Sequence, residues 1–260
     1  MKDYLVRGMS MDGFVKVVAI RSTEMVRRGA QIQGTTMNAT AAFGRVLTAA
    51  SMMGNMQKVE NGSMTMQIRG GGPIGTITVV SDPEGNVRGC VTEPHVPLVE
   101  KYPGKLDVGA TVGTDGTLTV IRDLQMKEPY VGSTELITGE IGDDVTAYFA
   151  QSEQTPTACA LGVLVDRDHS VKVAGGYLVQ LLPGAPDEVI DKLEAGIQQP
   201  YRLHDLRHTY ATRLVAAGYN LRILQYAIGH SSMELTAQTY THITPEHAVN
   251  ELDRISAALH

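Results

Sequence analysis

The 260-residue chain carries 22 Lys and Arg against 28 Asp and Glu, a net charge of −6, with 43% apolar and 19% charged residues. That balance is the balance of a water-soluble globular chain and excludes disorder and fibrous repeats. The longest apolar runs, Thr157 to Val165 and Tyr177 to Leu182, are far below the roughly 18 residues of a membrane span, and the N-terminus has no signal-peptide core, so a cytoplasmic protein without a membrane partner is expected. Cys90 and Cys159 are the only cysteines and form no Cys-x-x-Cys pair, so neither a disulfide framework nor a thiolate zinc site is expected.

Along residues 1–198, apolar alternation and turn signals give strands over Phe14 to Arg21, Ser63 to Arg69, Ile74 to Val80, Asn86 to Val91, Thr117 to Arg122, Tyr130 to Thr138, Ala158 to Val165 and Val171 to Leu182. Asp82-Pro83-Glu84-Gly85 and Thr114-Asp115-Gly116 read as hairpin turns, because Gly supplies the positive φ that such turns need. A helix from about Ala39 to Lys58 carries Phe43, Val46, Leu47, Ala50, Met53 and Met56 at three- and four-residue spacing, hence one apolar face. Another helix is expected over Asp187 to Ile197. The fold class is α+β, with mostly antiparallel sheets and packed helices.

Two local features invite functional readings. Arg69-Gly70-Gly71-Gly72-Pro73-Ile74-Gly75 lacks the Lys-Ser/Thr of a P-loop and the spacing of a dinucleotide fingerprint, so it reads as a strand-connecting turn. Met37, Met52, Met53, Met56, Met64 and Met66 crowd together. Thioethers suit a surface that adapts to many apolar partners, which makes Met52, Met53 and Met56 candidates for client binding; ordinary core filling is the competing reading.

Charge and histidine change abruptly near residue 199. The tail, 199–260, balances 5 basic against 5 acidic residues, has no lysine, and holds six of the eight histidines. Leu206, Tyr210 and Leu214 share a helix face that Gly218 ends, Asn220 opens a second helix, Ser232 a third, and Thr244-Pro245 a last one. This tail is expected to be a small all-helical unit, giving two domains, 1–198 and 199–260.

The front part resembles a known family through Asp3-Tyr4-Leu5-Val6-Arg7, ATAAFGRVLTAASMMGNMQK (39–58), GGGPIGTITVVSDPEGNVRGCV (70–91), GEIGDDVTAYFAQSEQTPTACALGVLVD (139–166) and AGGYLVQLLPGAPDEVIDKLE (174–194). These strings look like the thirty-three-kilodalton heat-shock proteins, the redox-regulated holdase chaperones of bacteria. The resemblance implies an ATP-independent chaperone that binds unfolding client proteins on an apolar surface and forms a homodimer through this body. The family continues into a zinc module with four cysteines that senses oxidation. None of those cysteines is present here, so the switch is not carried over, and no cofactor is expected.

HDLRHTYATRLVAAG (204–218) and AIGHSSMELTAQTYTH (227–242) resemble the C-terminal part of tyrosine recombinases, the phage-integrase family. The resemblance assigns His204 and Arg207 to its His-x-x-Arg, His230 to its second histidine and Tyr240 to its nucleophile. An arginine fork would hold the phosphodiester oxygens, imidazoles would move protons, and the phenol would attack phosphorus. The family's upstream arginine, its lysine and its DNA-clamping domain have no counterpart, and a net charge of zero gives DNA little attraction. These four residues are therefore expected to be remnants, with DNA at most a weak partner. A histidine metal site from His204, His208 and His230 or His242 lacks an acidic ligand and is not expected. Of the two function classes, chaperone and DNA strand transfer, the more complete chaperone body decides for the first.

Overall fold

In a computed structural model, which describes residues 2–186 together with 188 and 189, the alternating segments form two antiparallel sheets. Sheet A orders β1 (Tyr4–Met9), β2 (Val15–Arg21), β11 (Val171–Leu181) and β10 (Thr157–Val165) as β1-β2-β11-β10. Sheet B orders β5 (Val87–Val91), β4 (Thr76–Ser81), β3 (Ser63–Arg69), β8 (Thr117–Asp123) and β9 (Tyr130–Glu135) as β5-β4-β3-β8-β9. A small hairpin pairs β6 (Glu100–Tyr102) with β7 (Lys105–Leu106). The α+β class is as expected, and Lys2–Pro183 form one compact unit.

Helix α2 (Met37–Asn55) departs from the expected one-sided helix. It packs on β2, β10 and β11 of sheet A and on β3, β4 and β5 of sheet B, and 16 of its 19 residues are buried. A helix apolar all round is an interior helix. Its composition permits this: Ala39, Ala41, Ala42, Ala49 and Ala50 let backbones approach, and Gly44 lies where a Cβ would sit 2.6 Å from Val26 Cγ1 and 3.0 Å from Val163 Cγ2. Its buried hydroxyls find partners close by. Thr48 Oγ1 donates to Gly44 O at 2.7 Å and meets Ser22 Oγ at 2.8 Å, while Ser51 Oγ donates to Gly85 O at 2.6 Å.

Three helices were not assigned from the sequence. Helix α1 (Thr23–Gln33) starts where the Asp3 carboxylate accepts the N–H groups of Glu24 and Met25, and it stops at Gly34, φ 65°, whose N–H returns to Ala30 O. Helix α3 (Val108–Val112) is capped by Asp107, which accepts Ala110 N–H at 2.8 Å. Helix α4 (Gly142–Gln151) is anchored by the fully buried Asp144. That carboxylate accepts N–H bonds from Ile137, Thr138, Gly139 and Ile141 at 2.8–3.3 Å. Those donors explain why β9 stops short of the expected Thr138: Leu136 N–H goes to Gly116 O, and the amides of Ile137, Thr138 and Gly139 serve Asp144, not a ladder.

The turn at Asp82 is the expected hairpin, with Asp82 Oδ1 accepting Asn86 N–H at 2.9 Å and Gly85 at φ 84°. Thr114-Asp115-Gly116 is corrected: it joins α3 to β8, not two strands, and is held by Asp115 N–H on Gly70 O at 3.0 Å. The all-helical tail, the helix over Asp187 to Ile197, the junction at 198/199, and His204, Arg207, His230 and Tyr240 lie outside the described residues, Glu188 and Val189 apart.

Candidate functional site

The two sheets turn one face each toward α2, and pairing register fixes what the opposite faces carry. In sheet A, Val18 and Leu178 are buried in the core, with Leu5, Ile20, Cys159 and Leu161 packed against it. Because side chains alternate along a strand, their neighbours point away from the core. Register lines these up as Val6–Ala19–Tyr177–Ala160 and Gly8–Val17–Val179–Ala158, with Val15 opposite Leu181 and Val173 opposite Leu164. Tyr4, Val6 and Leu164 are 52–53% exposed, and the rest of these rows is half-buried apart from the exposed Gly8. The flanking row Tyr4–Arg21–Gly175–Gly162 contributes the one charged side chain of the three rows, Arg21, beside Asp3.

Sheet B obeys the same rule with a different outcome. One of its outward rows reads Cys90–Thr78–Gln67–Thr119–Ser133, cross-linked by Gln67 Nε2 donating to Thr78 Oγ1 at 3.2 Å and by Thr119 and Ser133 hydroxyls at 2.9 Å, while the next, Arg88–Val80–Thr65–Ile121–Val131, sets three apolar side chains beside Arg88 and Thr65. A hydroxyl-covered row is an ordinary solvated row. An outward row of Val, Ala and Tyr is not, and a contiguous apolar patch of this kind marks an interaction surface. Among the described residues, the helices that meet sheet A pack on its inner side or along its β10 edge.

The methionines lie elsewhere. Met52 and Met53 are 0% and 1% exposed inside α2, Met64 and Met66 are 0% exposed on β3, and Met37 and Met56 are half-buried against the same core. Core filling therefore accounts for their burial, and Met52 and Met53 are not part of the described surface. The outer face of sheet A was missed by sequence reading, yet a signal exists. β2 and β11 are apolar at both parities, where a strand with one solvated face alternates.

No reactive constellation appears among the described residues. The glycine-rich loop is packed against backbone: Gly72 N–H donates to Val112 O at 2.9 Å and Ile74 N–H to Thr111 O at 3.2 Å, so these two amides are not free for phosphate, and a Cβ on Gly72 would lie 2.5 Å from Thr111 O. Tyr148 donates to Glu153 Oε1 at 2.7 Å, Arg122 pairs with the same carboxylate at 3.0 Å, and burial first, then this hydrogen bond, pushes the phenol well above its usual range. Arg45 on α2 pairs with Glu140 at 2.6 Å. A four-thiolate zinc centre does not fit this chain: Cys90 stands on β5 of one sheet and Cys159 on β10 of the other, and burial, then the charge of Asp143, pushes the Cys159 thiol upward, away from the thiolate a metal needs. Among the described residues no group of three or more His, Cys, Asp or Glu could hold a metal, and no helix is long and apolar enough to cross a membrane.

Comparison with known proteins places residues 3–243 on the family model described as Hsp33 protein. The chain is 51% identical over 195 residues to the 33 kDa chaperonin of Alkaliphilus oremlandii, covering 75% of this chain but 65% of that protein, so it spans under two thirds of that relative's length. It is 40% identical over 261 residues to the 33 kDa chaperonin of Clostridium acetobutylicum, covering 100% of this chain and 84% of that one. The crystal structure of the 33 kDa chaperonin from Thermotoga maritima matches with a TM-score of 0.72 at 33% identity, over 86% of this chain and 74% of that one. The family match takes in His204, Arg207, His230 and Tyr240, so the similarity found across that stretch is to the chaperones and lends a recombinase tail no support.

Proposed function

The chain belongs to the Hsp33 family, a chaperone family, and we propose that its body acts as an ATP-independent holdase whose client-binding surface is the outer face of sheet A. The observation that carries this reading is the continuity of the apolar outward face of sheet A, where Val6, Val17, Ala19, Tyr177 and Val179 stand in adjacent rows, whereas on sheet B the apolar row of Val80, Ile121 and Val131 lies beside the polar row of Thr78, Gln67, Thr119 and Ser133. Covering 100 Å2 of apolar surface contributes about 2.5 kcal/mol before ordering costs, so a patch of this kind captures apolar segments reversibly and without nucleotide chemistry. A homodimer formed through the same body and a cytoplasmic location belong to the same proposal.

The test is a chain with Val17→Asp and Val179→Asp, two cross-strand neighbours that point away from the core. Light scattering of a thermally unfolding client is expected to show suppression by the unaltered chain and little by the variant, at a temperature where the variant, its melting point lowered by two like charges set opposite each other, is still folded by circular dichroism. Full suppression by a folded variant would remove the surface from consideration.

Regulation follows from the thiols. With two cysteines in the chain, on different sheets, client capture is expected to be equal under reductant and peroxide, and the purified 260-residue chain is expected to carry no stoichiometric zinc. Capture that rises severalfold on oxidation, or about one zinc per chain by elemental analysis, would show a switch that these residues do not account for. No observation favours strand transfer by residues 199–260.

A further inference from the structure

Resting on the reading of sheet A as the client surface, we propose that a client segment binds as an added strand along the open edge of β1, and that the preferred segment sets an apolar residue opposite Val6 and an acidic residue opposite Arg7. The edge follows from the ladder. Ser10 N–H donates to Val15 O at 2.8 Å, so alternate pairing turns the backbone groups of Gly8, Val6 and Tyr4 toward β2 and those of Leu5, Arg7 and Met9 toward the opposite side. β1 is terminal in its sheet, and no described residue pairs with that side. The other edge of the sheet is occupied: α4 lies beside β10, and Thr146 Oγ1 accepts Cys159 N–H at 3.2 Å. Addition at β1 is therefore the one way to lengthen sheet A among the described elements, and edge addition is a recurrent mode of peptide capture.

The side-chain preference comes from what lies on each side of that edge. A residue opposite Val6 would continue the outward row Val6–Ala19–Tyr177–Ala160, which selects apolar groups. Of its two neighbours one would face Leu5 and the other Arg7, with Lys16 one strand further in, in register with Met9. Arg7 donates to Asn55 O at 3.1 Å, which places it at the end of α2, three residues before Lys58. No described carboxylate forms an ion pair with Arg7, Lys16 or Lys58. Burial, then the charges of Arg7 and Lys58, hold the Lys16 ammonium below its usual range, which agrees with a cationic cluster that no carboxylate pairs with among the described residues. The same cluster discriminates against a second copy: antiparallel pairing of two β1 edges about Arg7 sets like charges opposite each other.

The experiment uses the full chain and short peptides alternating Val with Glu, Val with Lys, and Val with Glu carrying N-methyl groups on two edge-facing amides. The Val-Glu peptide is expected to bind, to protect the amides of Leu5, Arg7 and Met9 from hydrogen exchange, and to bind severalfold more tightly than Val-Lys. N-methylation is expected to weaken it by about tenfold or more, and Arg7→Glu to reverse the order of the two charged peptides. Equal binding of the N-methylated peptide, or binding without protection at Leu5, Arg7 and Met9, overturns strand addition. Protection that grows with protein concentration alone overturns it in favour of a second copy. If Val17→Asp with Val179→Asp abolishes aggregation suppression while the peptides fail, strand addition alone falls; if that variant still suppresses aggregation, the client surface itself is wrong.

Discussion

Replacing Asp144 by Ala is expected to destabilise the body by about 3–5 kcal/mol, because several buried backbone N–H groups lose their acceptor at once and each unsatisfied donor costs about 1–3 kcal/mol where water does not replace the carboxylate. The carboxylate also holds a strained turn. Ile141, a β-branched residue with no exposure, sits at φ 68°, a conformation that costs on the order of 1–3 kcal/mol and persists only when its surroundings impose it. Ile141 N–H donates to Asp144 Oδ2 at 2.9 Å, so one side chain both closes the turn and starts α4. Urea unfolding at constant slope is the measurement, and Asp144→Asn, which keeps one acceptor oxygen, is expected to fall between the two. A loss under about 1 kcal/mol for the Ala variant would mean that the loop relaxes and that α4 does not depend on it.

Met52→Ala is expected to cost about 2–5 kcal/mol, the range for deleting a buried Met where neighbours close in only partly. Met52 is 0% exposed on a helix walled in by both sheets, so little collapse is available. Client capture per folded molecule is expected to stay unchanged at a temperature where the variant is native. The opposite pattern, unchanged stability with lost capture, would return Met52, Met53 and Met56 to the binding surface and require α2 to be uncovered when a client binds.

What could be read from the residues was the part governed by short periods. Ser63–Arg69 falls where alternation put it, and β5, β8, β10 and β11 differ from expectation by a residue at an end. Strand ends failed where non-local partners decide. Ile74 was assigned to a strand, but its N–H goes to Thr111 O across a loop and Gly75 follows at φ 68°, so β4 begins at Thr76. The one-sided reading of α2 failed because its spacing of large residues is that of a surface helix. Its burial comes from the small residues between them, which periodicity discounts. β1 holds one charge, Arg7, beside Gly8 and no clean alternation; its place at the sheet edge is set by β2, not by its own pattern. The candidate surface was hidden for a related reason. A row such as Val6–Ala19–Tyr177–Ala160 joins two strand pairs distant in sequence, and its apolar character becomes visible only once register is known.

The strand order of sheet A sets a timetable for the chain as it is made. β2 lies between β1, beside it in sequence, and β11, which ends at Leu181. Sheet B is complete in sequence at Glu135, so α2 gains one wall long before the other. Pairings of such long separation close slowly, because the intervening chain must be ordered first. At synthesis rates of about 5–20 residues per second, the stretch from β9 to β11 takes seconds to emerge. Through that interval Val46, Leu47 and their neighbours on α2 have no sheet A to pack against, and a protein that we read as a shelter for exposed apolar chain is itself in need of one.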